Sequence, residues 1–106
     1  MVKPVIATLE VVSILPDGKQ VELTATIRPP YEVEGGQWAA RVQVKPLQEK
    51  ALEVRGVDSF HALWLACSLV LKLFAQLTAE GAKLENRDGT EFPLQAYLAG
   101  LDGDQG

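Results

Sequence analysis

The chain has 106 residues, of which 47% are hydrophobic and 23% charged, values that are typical of one folded domain and argue against disorder. Its formal net charge of −4 arises in the second half of the chain, since residues 58–106 carry three basic and seven acidic side chains. This acidic balance disfavours nucleic acid and anionic membranes as partners, because both attract basic patches.

The cysteine count and the N-terminal residues bear on the cellular compartment. A single cysteine excludes an internal disulfide. Met1-Val2-Lys3-Pro4 leads straight into strand-like sequence and not into the apolar core of a signal peptide. Both features predict a protein of the reducing cytoplasm.

Four segments in the first half of the chain alternate apolar and polar residues, as β-strands do. These segments are residues 5–14, 20–28, 38–45 and 51–57. Short connections between successive strands predict an antiparallel meander. The side chains expected to face the core are Val5, Ala7, Leu9, Val11, Val21, Leu23, Ala25, Ile27, Trp38, Ala40, Val42, Val44, Leu52 and Val54.

The longest connection in this half is residues 29–37, which begins with Pro29-Pro30 because proline cannot donate to a strand ladder. Tyr31 and Val33 are its apolar residues. One interpretation is a flap packed over a sheet edge, which we favour. The other is a mobile contact loop hinged at Gly35-Gly36.

Residues 58–80 predict one long helix. Asp58 or Ser59 can cap its N-terminus, Gly81 stands where a left-handed C-cap is needed, and neither proline nor glycine interrupts it. Its apolar arc covers well over half of the helical wheel, whereas a helix on one sheet needs a stripe of only ~100°. The helix therefore requires a second partner, either the chain after Gly81 or another subunit.

A transmembrane span is the competing interpretation of so apolar a helix. His61, Lys72 and Gln76 would each be costly at the depth of a bilayer. We therefore predict that the chain does not cross a membrane.

The chain after Gly81 predicts a small hairpin over residues 84–92, with Asp88-Gly89 in its turn, and then a short helix that begins at Pro93. Leu94, Tyr97, Leu98 and Leu101 would form its apolar stripe and cover the second side of the long helix. Residues 102–106 are expected to be a disordered tail.

Together these elements predict a single α+β domain over residues 1–101. It consists of a four-stranded antiparallel meander packed on one long helix, with a short C-terminal hairpin and helix.

Catalytic and metal-binding patterns are absent from the sequence. His61 and Cys67 lie about 120° apart on the helical wheel, so the helix does not form a Cys–His dyad. The chain contains no zinc, EF-hand, P-loop or dinucleotide motif. We therefore predict no catalytic residue, no metal ligand and no cofactor. Arg28, Arg41, Lys45 and Arg55 would form a small basic patch on the outward face of the sheet, but interleaved acids make it a poor nucleic-acid platform.

Two surfaces are candidates for contact with other molecules. A groove between the helix of residues 58–80 and the loop of residues 29–37 would have Tyr31, Trp38 and His61 at its rim. An apolar interface for a partner or a second copy would contain Leu69, Leu73 and Tyr97.

The residues Gly56, Asp58, Ser59, Ala62, Leu63, Leu65 and Ala66 form the pattern G-x-D-S-x-x-A-L-x-L-A. Following four strands, this pattern resembles a family of small uncharacterised bacterial proteins. The resemblance implies a β-meander followed by one long helix and a short C-terminal segment, and it implies no known reaction. Where this chain has His61, that family usually has glutamine.

These observations predict a non-enzymatic, cytoplasmic protein-interaction module, such as an accessory or immunity-type partner in a bacterial system. Its expected partner is another protein or a second copy of the chain, not nucleic acid or a membrane. The alternative is a small-ligand binder or enzyme that uses the groove between the long helix and residues 29–37.

Overall fold

The alternating segments form an antiparallel sheet in the computed structural model, which describes residues 4–102. The strands are β1 (Ala7–Ile14), β2 (Gln20–Ile27), β3 (Tyr31–Glu32), β4 (Trp38–Lys45), β5 (Leu52–Gly56) and β6 (Lys83–Glu85). Because β5 pairs along one side of β4, β2 and β3 share the other side. The order of strands across the sheet is therefore β5, β4, β2, β1, β6, and the short β3 pairs with β4 on the same side as β2.

Two α-helices and one 3-10 turn (Glu34–Gly36) complete the fold. The long helix α1 (Ser59–Ala79) begins beside β5, crosses one face of the sheet and ends before β6 at the opposite edge. Asp58 caps it, accepting a hydrogen bond of 2.7 Å from the backbone N–H of His61. Gly81 closes its C-terminus with φ of 102°, a conformation that glycine adopts without steric cost. The short helix α2 (Leu94–Asp102) follows a turn after β6.

The predicted α+β class is confirmed, with six strands where four were expected. The four predicted segments correspond to β1, β2, β4 and β5. The two additional strands are short: β3 lies within the predicted loop, and β6 is half of the predicted hairpin, bridged at Glu85 to Glu91. The helix α2 includes Asp102, and the rest of the predicted tail, from residue 103, lies outside the described residues.

The core lies between α1 and the inner faces of β1, β2 and β4. Its largest fully buried side chains are Phe74, Leu23, Val11, Val42 and Val44. The chain after α1 covers part of the helix, as the sequence predicts. The rings of Phe74 and Phe92 meet edge to face with centroids 5.9 Å apart, and Phe92 stacks on Tyr97 at 5.0 Å.

Gly56, the last residue of β5, allows the closest approach between the sheet and α1. A Cβ atom at this position would lie 2.6 Å from the backbone nitrogen of Ala62 and 2.9 Å from the Cβ of His61. Backbone atoms cannot move aside as the end of a flexible side chain can, so only glycine fits here.

We expect Gly56→Ala to destabilise the protein by about 3 kcal/mol, because the added methyl group must push α1 away from β5. The change is measured by urea unfolding. Gly18→Ala is the control, since Gly18 has φ of 89° but no atom within 4 Å of the added Cβ. Its cost is backbone strain of about 1 kcal/mol. Equal losses in the two variants would contradict the role of the close approach.

Candidate functional site

The apolar surface of α1 is wider than the part that the fold covers. One stripe, at helical spacing, runs through Phe60, Trp64, Ser68 and Leu71. Ser68 and Leu71 are buried, whereas the side of the stripe nearer the N-terminus is open, with Phe60 75% and Trp64 46% exposed. Within residues 4–102, the second partner that the sequence predicts for this helix therefore covers its C-terminal half only.

A groove of about 260 Å³ lies beside the covered half of this stripe. It is bounded by α1, by α2 and by the inner faces of β1 and β2. Its lining residues are Ala7, Thr8, Leu9, Ala25, Ile27, Cys67, Val70, Leu71 and Tyr97. We call it the apolar groove, because none of these side chains carries a charge and only Thr8 and Tyr97 bear hydroxyl groups. Burial raises the pKa of the Cys67 thiol, which therefore stays protonated and unreactive near neutral pH.

The strand beside the apolar groove has a partly open edge. The N–H of Leu15 donates to the carbonyl of Lys19, so the register makes the odd-numbered residues of β1 bond to β2. The even-numbered residues point to the other edge, where β6 pairs with residues 12–14 only. In the part of the chain that the structure describes, the backbone groups of Thr8 and Glu10 have no strand partner.

This open edge has the chemistry of a binding site for extended chain. Unpaired N–H and C=O groups in a row are a template for an additional strand. On the outer side of this edge, the Glu10 carboxylate forms an ion pair of 3.2 Å with Arg87. The open edge of β1 and the apolar groove are continuous, because Thr8 belongs to both and its neighbour Leu9 also lines the groove.

A polar cluster lies on the outer face of the sheet, on the side away from α1. The hydroxyl of Tyr31 donates to a carboxylate oxygen of Glu53 and accepts from Nε of Arg41 at 3.2 Å. Arg55 forms an ion pair of 3.1 Å with the same carboxylate. The Tyr31 hydrogen bond, followed by that of Arg55, lowers the pKa of Glu53, and the Tyr31 contact raises the pKa of Arg41.

The structure does not bring Tyr31, Trp38 and His61 to one groove. Trp38 pairs with Gly56 and lies on the inner face, next to the first turn of α1. Tyr31 pairs with Ala39, the residue that follows Trp38 in β4, so its side chain lies on the opposite, outer face. The physical reason is that residues on a strand alternate between faces, and β3 resumes pairing only after the break at Pro29-Pro30.

His61 has a structural role in the first turn of α1. Its Nδ1 accepts a hydrogen bond of 3.0 Å from the backbone N–H of Val57. Within the described residues, no group of three or more His, Cys, Asp or Glu side chains is arranged to hold a metal ion.

Of the predicted interface residues, only Tyr97 borders the apolar groove, where it is 43% exposed. Leu69 and Leu73 are half-buried and pack against the core. The open part of α1 consists instead of Phe60 and Trp64. These two residues occupy one helical face at i and i+4, but the sequence does not show how far along α1 the C-terminal segment reaches.

The helix α1 is long and apolar enough to cross a membrane, a test that core helices also pass. Here it packs across the sheet and against α2. Comparisons with family models, with curated proteins and with solved structures found no match to the chain. The resemblance at the opening of α1 therefore stays a prediction.

We expect Phe60→Ser to change the free energy of unfolding by no more than about 0.5 kcal/mol, because this side chain is mostly in water. Phe74→Ala should cost about 3–5 kcal/mol, since Phe74 is fully buried. Both are measured by urea unfolding. A large loss in Phe60→Ser would show that this residue belongs to the core and not to an open surface.

We expect Tyr31→Phe to raise the pKa of Glu53, because the Tyr31 hydrogen bond is the largest single cause of its lowering, and Arg55→Gln to raise it as well. A carboxylate with a lowered pKa stabilises the fold above its ordinary pKa. That contribution is lost as the pH falls through the folded-state value. NMR titration of the carboxyl carbon measures the shift, and an unchanged pKa in Tyr31→Phe would contradict the network.

Proposed function

We propose that the protein is a non-enzymatic protein-binding module that takes up an extended segment of a partner along the open edge of β1. The observation that carries this proposal is the continuity of unpaired backbone groups at Thr8 and Glu10 with the apolar groove. Strand addition obtains affinity from main-chain hydrogen bonds and specificity from pockets for alternate side chains.

The geometry of the edge favours one kind of segment. A strand paired with Thr8 and Glu10 would lie about 4.8 Å from β1. Its residue opposite Leu9 would direct its side chain to the inner face, toward Cys67 and Tyr97. The partner segment is therefore extended and apolar at alternate positions on that side.

The size of the apolar groove favours a side chain over a free small molecule. Sites for drug-sized ligands have volumes of about 300–1,000 Å³ and a few convergent polar groups. The apolar groove is smaller, at about 260 Å³, and no charged side chain lines it. It has room for one or two apolar side chains of a bound strand.

Beyond this groove, Phe60 and Trp64 extend the apolar surface along α1 toward β5, away from the open edge. The net charge of −4 favours a neutral or basic partner, because charge complementarity speeds encounter. We include in this proposal the accessory or immunity-type role and the cytoplasmic location that the sequence predicts. The alternative of a ligand site between α1 and residues 29–37 loses support, because Tyr31 lies on the opposite face.

The test uses peptides selected on the full chain from a random-peptide library and then followed by NMR. Binding should slow hydrogen exchange at the amides of Thr8 and Glu10 and shift the ring signals of Tyr97, which lines the apolar groove. Thr8→Pro should abolish binding, because it removes an N–H that the sheet itself does not use. Thr8→Val is the matched control, since it keeps that N–H, and it should bind normally.

The outcome that would contradict the proposal is binding that survives Thr8→Pro, or exchange protection that falls elsewhere. Light scattering of the protein alone tests whether a second copy of the chain binds at this edge. Dimers that become monomers in Thr8→Pro, but not in Thr8→Val, would show that the same edge pairs two copies of this chain.

A further inference from the structure

Two arginines stand directly opposite each other on the outer face of the sheet. The backbone N–H of Arg28, just after β2, donates a hydrogen bond of 3.0 Å to the carbonyl of Arg41 in β4. Residues paired in this way have side chains on the same face and close together. Like charges at such positions destabilise a sheet, so this pair calls for a compensating negative charge.

The charged side chains nearby supply only part of that compensation. Glu53 stands directly opposite Arg41 in the pairing of β4 with β5, but its carboxylate bonds to Arg55 and to the Tyr31 hydroxyl, and Arg41 donates to that hydroxyl. Arg41 uses its Nε for that contact, and its two terminal nitrogens have no hydrogen-bond partner in the described part of the chain. Among the described residues, no carboxylate lies within 4 Å of the Arg28 guanidinium. Arg41 therefore shares the single carboxylate of Glu53 with Arg55, and the pair formed by Arg28 and Arg41 keeps a net positive charge.

The same two arginines line a groove of about 440 Å³. Its lining residues are Pro4, Arg28, Pro29, Pro30, Tyr31 and Arg41. We call it the arginine groove. Its walls are three proline rings and an aromatic ring, so they lose little conformational entropy when a ligand binds. The Arg41 guanidinium carbon lies 5.8 Å from the centre of the Tyr31 ring, which helps to hold its orientation.

We propose that the arginine groove binds the phosphate monoester group of a phosphorylated ligand. Such a group carries a charge of about −1.5 to −2 near neutral pH and three acceptor oxygens. It can accept hydrogen bonds from two guanidinium groups at once, whereas a carboxylate is satisfied by a single arginine fork. The apolar walls would contact the organic part of the ligand.

This site is independent of the strand-binding function proposed above. The arginine groove lies on the outer face near β3, and the apolar groove lies on the inner face beside α1. A failure of one proposal leaves the other standing, because Thr8→Pro and the arginine variants change different surfaces.

Phenyl phosphate is the probe, titrated into the labelled full chain at constant ionic strength and followed by NMR. Benzoate is the matched ligand, with the same ring and a single charge. We expect phenyl phosphate to shift the signals of Arg28, Tyr31 and Arg41 and to bind at least about tenfold more tightly than benzoate. Inorganic phosphate should compete for the same site.

Arg28→Gln and Arg41→Gln should each weaken phenyl phosphate binding by about tenfold or more. Arg55→Gln is the control, because this arginine is occupied by Glu53 and does not line the groove. It should leave the affinity unchanged. Thermal unfolding of all three variants separates loss of binding from loss of fold, and Arg28→Gln should not lower the melting temperature, since it removes a like-charge contact.

Equal affinity for benzoate and phenyl phosphate, or equal losses in Arg28→Gln and Arg55→Gln, would overturn the proposal. A short peptide containing phosphoserine distinguishes the source of the group. Binding of this peptide in preference to phenyl phosphate would identify a phosphorylated protein segment, and the reverse order would identify a small phosphorylated molecule.

Discussion

The contact between β5 and the first turn of α1 determines where the remaining elements lie. Because Gly56 has no side chain, the backbone of Ala62 comes closer to the sheet than any other residue at that position would allow. The Asp58 cap then fixes the helix start directly after the strand. From this fixed end α1 crosses the sheet and ends at the far edge, where β6 pairs with β1.

This geometry separates the surface into two faces of different chemistry. On the inner side, α1 and α2 leave an apolar groove next to an edge with free backbone groups, a combination that suits another polypeptide. On the outer side, the strands display arginines, acids and Tyr31 in cross-strand rows. The two faces meet at the N-terminal end of β1, so one chain of 106 residues has room for two independent kinds of contact.

Local patterns in the sequence were sufficient to predict most of the fold. The strands β1, β2, β4 and β5 and the helix α1 follow from alternation, helical spacing and turn residues, which left the cap open between Asp58 and Ser59. The positions that depend on pairing over long distances did not follow. Tyr31 changes face because pairing restarts after two prolines, and alternation cannot be counted across such a break.

The candidate surfaces were predicted less well than the fold for the same reason. The sequence shows that α1 has more apolar surface than one sheet can cover. Which part of that surface stays exposed depends on where α2 docks. In the structure the exposed side chains are Phe60 and Trp64, whereas Leu69 and Leu73 are half-buried. The opposition of Arg28 and Arg41 requires the register between β2 and β4. The open edge requires the length of β6, which is three residues and has no distinctive sequence signal.

The pairing of β6 with β1 also orders the steps of folding. The hairpins of β1 with β2 and of β4 with β5 close short loops, whereas Val12 and Glu85 come from nearly opposite ends of the chain. Joining such distant segments carries the larger entropic cost and so follows the local contacts. Until then the whole outer edge of β1 is bare, and docking of β6 covers only its last three residues. The segment at Thr8 and Glu10 is therefore the part of this edge that β6 leaves uncovered both before and after it docks.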